Sequence, residues 1–95
     1  RFKCDWSSDV CSSDLYERIL CSNLANGARW ETYAIRGPKG KGVIELNGAV
    51  AHRGKPGHRL TIMSFTQVDS RRAKAWKPRV IVLGEANRVA NKRGI

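Results

Sequence analysis

The ten residues NGARWETYAI, Asn26 to Ile35, set a turn directly against a strand. Asn-Gly between two runs of strand-forming residues is a strong short hairpin signal, because both residues tolerate positive φ in a type I′ turn. Upstream, YERILCSNL (Tyr16–Leu24) is the first arm of that hairpin, and RWETYAI (Arg29–Ile35) is the return strand. Side chains alternate along a strand, so Trp30, Thr32 and Ala34 fall on one face and Arg29, Glu31, Tyr33 and Ile35 on the other.

Beyond the hairpin, GPKGKG (37–42) is a turn or loop, and it lacks the GxxxxGK[ST] pattern of a phosphate-cradling loop. Val43–Leu46 is a short strand running into NGAVAH, where Asn47 is expected to cap a helical turn. Lys55-Pro56-Gly57 makes a turn, and LTIMSFTQV (Leu60–Val68) is the clearest apolar strand. Asp69 caps a short helix expected to run through Ala75 and to be stopped by Pro78. Arg79–Leu83 is the last expected strand, and Glu85–Ile95 is expected to be a frayed tail. Many short strands, tight glycine turns and little helix point to a compact β-barrel.

The first fifteen residues differ from the rest. DWSSDVCSSDL (Asp5–Leu15) repeats itself and has no basic residue, whereas the 80 residues from Tyr16 carry 16 Lys/Arg against 5 Asp/Glu. Three cysteines, Cys4, Cys11 and Cys21, are an odd number without scaffold spacing, and no CxxC pair or nearby His offers a zinc site. An apolar core for a signal peptide is also missing. The stretch resembles the translation of a common sequencing-library adapter. Residues 1–15 are therefore expected to be an artefactual, disordered leader, and the chain an N-terminally truncated fragment. With the leader set aside, Cys21 reads as a small buried hydrophobe.

The formal net charge of +10 raises the possibility of a polyanionic partner. The cations are scattered over three loops, however, and no strand interleaves them with aromatics as a base-stacking platform would. No apolar run is long enough to span a bilayer as a helix. His52 and His58 sit in or beside turns with no partner at ligand spacing, and no GxSxG is present.

Two segments could carry chemistry. Arg29 and Tyr33 share a strand face, where a guanidinium and a phenol could bind a carboxylate and move a proton; an ordinary exposed Arg and a half-buried Tyr would look the same. At LNGAVAH (Leu46–His52), the N–H groups of Gly48, Ala49 and Val50 could meet an anion, or the segment is a plain structural turn.

In order and spacing, NGARxETY-[AI]-I, a glycine-rich loop, G-V-I-x-LNGA-x-A, a PG turn, a strand ending in SF, and A-x-x-W-x-P-x-V closely resemble the aspartate 1-decarboxylase family. The resemblance covers nearly all of Tyr16–Val89. It implies a mainly β, double-psi β-barrel domain over residues 16–89 with a tail at 90–95. It also implies a cytoplasmic homotetramer, with no nucleic acid or membrane partner, that converts L-aspartate to β-alanine and CO₂ for pantothenate and coenzyme A synthesis. The implied cofactor is a pyruvoyl group made from the serine of a Gly-Ser bond, with neither pyridoxal phosphate nor a metal. Its ketone takes the substrate amine as a Schiff base and acts as electron sink. By resemblance, Tyr33 is the proton donor and Arg29 the carboxylate clamp; Thr32, Asn47, Gly48, Ala49 and Val50 contact substrate. Many members carry Ala at the position of Val50. This sequence holds no Gly-Ser pair, so the polypeptide as written is expected to be inactive. The competing expectation is a non-enzymatic basic β-barrel that touches RNA, which would account for the positive charge.

Overall fold

The computed structural model describes residues 2–5 and 16–93. In chain order these form β1 (Phe2–Asp5), β2 (Arg18–Asn23), β3 (Arg29–Gly37), β4 (Ile44–Leu46), a 3-10 helix (Gly48–Arg53), β5 (Leu60–Met63), α1 (Ser70–Ala73), β6 (Val80–Leu83), a second 3-10 turn (Glu85–Asn87) and β7 (Val89–Arg93). The domain is mainly β. Five strands make one open sheet in the order β4-β1-β3-β2-β5, and β6 and β7 make a separate two-stranded sheet. This arrangement is consistent with part of a double-psi barrel.

The expected hairpin is present, with Arg18 opposite Tyr33, Ile19 opposite Thr32 and Cys21 opposite Trp30. Its turn is not type I′. Five residues connect the strands, the Gly27 N–H donates to the Asn23 carbonyl at 2.8 Å, and positive φ falls on Gly27 (72°) but not on Asn26. The two asparagine side chains accept from backbone N–H groups two residues on, Asn23 from Ala25 and Asn26 from Ala28, each at 2.9 Å. These Asx turns shape the connection in place of a second left-handed residue.

Alternation along β2 and β3 builds the core. Ile19 and Cys21 on β2 and Trp30 and Ala34 on β3 are buried, with Ala28, Ile44, Leu46, Val50, Leu60 and Ile62 packed against them. Burial pushes the Cys21 thiol up to about 11 from its ordinary 9.0. The folded state thus disfavours the thiolate, while the unfolded chain ionises it. This contribution to stability is whole below pH 9 and is lost as pH rises from 9 toward about 11. The urea midpoint should therefore fall more steeply over that window in the native chain than in a Cys21→Val variant. Parallel curves would show that the thiol is not the cause.

Several sequence expectations need correction. Phe2–Asp5, set aside with the leader, pairs parallel with β3 and antiparallel with β4, and Lys3 Nζ lies 3.3 Å from Glu45. The remainder of the leader, at position 1 and 6–15, lies outside the described residues. The apolar run from Leu60 is a strand only to Met63, where its pairing with β2 ends at Leu20; beyond it Phe65 is 72% exposed. The supposed tail folds back as β7 against β6, from Val80–Arg93 to Leu83–Val89. That turn uses Ala86 and Asn87 at positive φ (56° and 57°), and alanine is not a residue that advertises a left-handed turn. Asp69 does cap α1, accepting from the Arg71 N–H at 2.9 Å, although α1 stops at Ala73 rather than Ala75.

One close approach ties the small hairpin to the main sheet. Asn87 Nδ2 donates to the Gly42 carbonyl at 2.7 Å. Gly42 has φ +62°, and a Cβ there would run into the Ala86 carbonyl oxygen. Only glycine suits both the dihedral and the contact.

Candidate active site

β3 displays Arg29, Glu31 and Tyr33 on its open face and turns Trp30 and Ala34 inward. The parity read from sequence is therefore correct, and it separates two expected partners. Tyr33 is 41% exposed, while Thr32 is half-buried on the opposite, core-facing side across from Ile19. Arg29 and Tyr33 are four residues apart on a strand, hence about 13 Å from backbone to backbone. Side chains of some 6 Å each can meet only over the residue between them, Glu31.

Glu31 is already engaged. Arg18, across β2, donates to its Oε2 at 2.7 Å. Both groups are largely solvated, so the pair does little for stability. It does bring a guanidinium against the Glu31 carboxylate, on the residue that stands in register with Tyr33. Arg18 and Glu31, with Leu20, Phe65, Thr66 and Gln67, line an open groove of about 600 Å³. On the other side of Tyr33, the Tyr16 ring lies 6.1 Å away, tilted by 48°. Sequence reasoning missed Arg18, Glu31 and Phe65 as neighbours, although the i, i+2 parity around Tyr33 pointed to Glu31.

Asn47 reaches the same end of the sheet by another route. Phe2 of β1 stands opposite Ala34 on one side and Leu46 on the other. β1 runs parallel to β3 and antiparallel to β4, so one residue further toward that end lie Tyr33 and Asn47. Two strand spacings, about 10 Å, separate them. Asn47 is extended (φ −117°, ψ 150°) before the 3-10 helix, and its side chain makes no capping hydrogen bond, which corrects that expectation. Gly48 takes φ +76°. Gly48 and Ala49 are exposed, whereas Val50 packs on the core. Tyr33 and Asn47 thus lie at one level of the sheet two strands apart, Arg29 stands about 13 Å further along β3, and Thr32 faces the opposite side.

The sequence model of the aspartate decarboxylase family matches residues 9–90. The chain belongs to that family. It is 40% identical over 73 residues to the aspartate 1-decarboxylase of Carboxydothermus hydrogenoformans, covering 77% of this chain and 58% of that protein. With the aspartate 1-decarboxylase of Ralstonia nicotianae it shares 36% over 87 residues, 92% of this chain and 72% of the relative. With that of Alcanivorax borkumensis it shares 43% over 74 residues, 78% and 59% respectively. The chain thus spans less than two thirds of the first and third of these aspartate decarboxylases. Among the described residues no helix is long and apolar enough to cross a membrane.

Proposed function

We propose that this chain carries the substrate-holding face of an aspartate 1-decarboxylase acting on L-aspartate. The observation that carries the reading is the placement of Arg29 and Tyr33 on one exposed face, with Asn47 level with Tyr33, in a chain of this family. Arg29 takes a substrate carboxylate through two parallel N–H···O bonds. When the Cα–carboxylate bond breaks and CO₂ leaves, the electron pair stays on Cα, and the Tyr33 phenol returns the proton that completes β-alanine. Asn47, Gly48 and Ala49 close the opposite side, while Thr32 and Val50, expected as substrate contacts, face the core.

A pyruvoyl group, rather than pyridoxal phosphate or a metal, is the cofactor this reading implies; when bound it supplies a carbonyl that draws electrons from the breaking bond. The residues present do not furnish it. No serine follows a glycine in the sequence, and the β1 residue in register between Ala34 and Leu46 is Phe2. A cytoplasmic homotetramer in the pantothenate pathway completes the proposal. For assembly, the support is the small buried apolar core among the described residues beside exposed Tyr16, Leu24, Phe65, Trp76 and Val82; the location and pathway follow from the family alone.

Calorimetric titration with succinate, a non-reacting dicarboxylate, tests the clamp. Arg29→Lys removes the two-pronged geometry and should weaken binding roughly tenfold or more. Tyr33→Phe should leave affinity within about twofold, because proton return is not a binding contact. Equal affinities in native and Arg29→Lys chains would remove Arg29 from the site.

One observation favours the basic RNA-binding module instead. Arg71, Arg72, Lys74, Lys77 and Arg79 are all exposed along one segment with Trp76, and Asp69 pairs only with Arg71. That reading requires RNA affinity to fall steeply with salt.

A further inference from the structure

Asn23 ends β2 and is 1% exposed, yet every one of its polar groups is used. Its N–H donates to the Ala28 carbonyl and its carbonyl accepts from Gly27, both at 2.8 Å. Its Oδ1 accepts from the Ala25 N–H at 2.9 Å. This orients Nδ2 outward, where it donates to the Arg53 carbonyl at 2.9 Å and to His58 Nδ1 at 3.0 Å. Asn26 Nδ2 adds a second bond to the Arg53 carbonyl at 3.1 Å.

His58 Nδ1 also receives the backbone N–H of Lys55 at 3.2 Å. A backbone N–H can only donate, so Nδ1 must offer its lone pair and the neutral ring carries its proton on Nε2. Two donors therefore converge on one nitrogen. Protonation of the ring places a third N–H between them and removes both bonds. The charged residues of the loop that meets the hairpin turn here are Arg53, Lys55 and Arg59, and residues 23–28 carry no charge. No carboxylate from either element is on hand to take the imidazolium's new proton.

Arg53 is the last residue of the 3-10 helix that begins immediately after Asn47. Six residues at about 2 Å rise span about 12 Å, so the Arg53 carbonyl held by Asn23 is one end of the segment whose other end follows Asn47. Gly54 reinforces the hold: a Cβ there would stand 3.0 Å from Leu46 Cδ1 and 3.3 Å from Asn23 Nδ2. The loop, the end of β4 and Asn23 meet with no space for a side chain.

We propose that Asn23 and His58 form a latch that positions the 3-10 segment Gly48–Arg53, and with it Asn47, and that opens when His58 takes a proton. Asn23 and His58 are positioning residues, and their bearing on substrate rests on the function proposed above. The segment's response to protonation does not.

Amide spectra of the ¹⁵N-labelled chain at pH about 7.5 and about 5.5, spanning the range in which imidazoles titrate, read the latch directly. His58→Asn supplies an amide oxygen near the place of Nδ1 that takes no proton in this range; His58→Ala removes the acceptor. In the native chain the Gly48–Arg53 and Lys55 amides should shift between the two pH values, with the protection factor at Lys55, corrected for the intrinsic exchange rate at each pH, roughly tenfold lower at the lower one. With all chains compared in a His52→Asn background, so that the segment's own imidazole does not move its amides, both changes should be absent in His58→Asn, and His58→Ala should resemble the low-pH parent at both. Identical pH responses in the native and His58→Asn chains overturn the latch, as does a ring proton found on Nδ1 at the higher pH. Succinate added to the same samples separates the two ideas. If it binds no variant at either pH, the substrate reading fails and the latch stands. If it binds while the Gly48–Arg53 amides move and its affinity stays constant, the link from latch to site fails.

Discussion

Trp30→Ala should leave no cooperatively folded domain. Among the described residues Trp30 is one of four buried apolar ones, opposite Cys21 in the β2–β3 register and in the row that continues to Ile62 on β5. Truncating a buried aromatic costs about 3–5 kcal/mol, against a net stability of about 5–15 kcal/mol for an ordinary domain. A core this small belongs at the lower end of that range. The expected result is loss of the sigmoidal urea transition. Trp30→Phe is the informative partner. Trp30 Nε1 is buried without a hydrogen-bond partner among the described residues, and an orphaned donor costs about 1–3 kcal/mol. Removing it offsets the smaller ring's lost packing, so Trp30→Phe should fall within about 1 kcal/mol of the native chain. A loss as large as that of Trp30→Ala would mean that the indole N–H is bonded after all.

The second large effect is catalytic. The purified 95-residue polypeptide, incubated with L-aspartate, should produce β-alanine at the no-protein background, and its intact mass should not change. The cause is chemical rather than geometric. No serine follows a glycine anywhere in the sequence, and without an electron sink the carbanion left by CO₂ has nothing to stabilise it. Measurable β-alanine, or a chain cleaved in two, would show that the polypeptide makes its own carbonyl group from another bond.

Much of the site was legible because β-strand parity is rigid. Once RWETYAI was read as a strand, Arg29, Glu31 and Tyr33 had to share a face and Trp30 had to turn inward, and they do. Cys21 in an apolar run was likewise readable as core. What failed depended on partners distant in sequence. Leu60 to Val68 is rich in apolar residues, yet only its first four are a strand; pairing stops at Met63 opposite Leu20 although β2 continues to Arg18. β7 was hidden because its turn rests on Ala86 and Asn87 in left-handed conformations that the small hairpin imposes. β1 was lost when an adapter-like stretch was allowed to discredit the four residues before it as well. Glu31's engagement by Arg18 needs cross-strand register, which one strand's sequence does not contain.

The open sheet also explains why so few residues are buried. β4 and β5 are edges of the five-stranded sheet, and β6 and β7 pair only with each other. A two-stranded hairpin has little stability by itself. Here it is anchored through Asn87 and Gly42, and Val82 stays exposed. The Arg29–Tyr33 face is itself an exposed surface of this sheet.

The most direct measurement is a succinate titration of the ¹⁵N-labelled chain, following the Arg29 Nε–H, the Glu31 and Tyr33 amides, and the guanidinium signals of Arg71, Arg72 and Arg79. Saturable shifts at Arg29 and Tyr33, with the three distant arginines unmoved, are the expected result. Shifts confined to Arg71, Arg72 and Arg79, or spread evenly over all cations, would contradict a carboxylate site on β3.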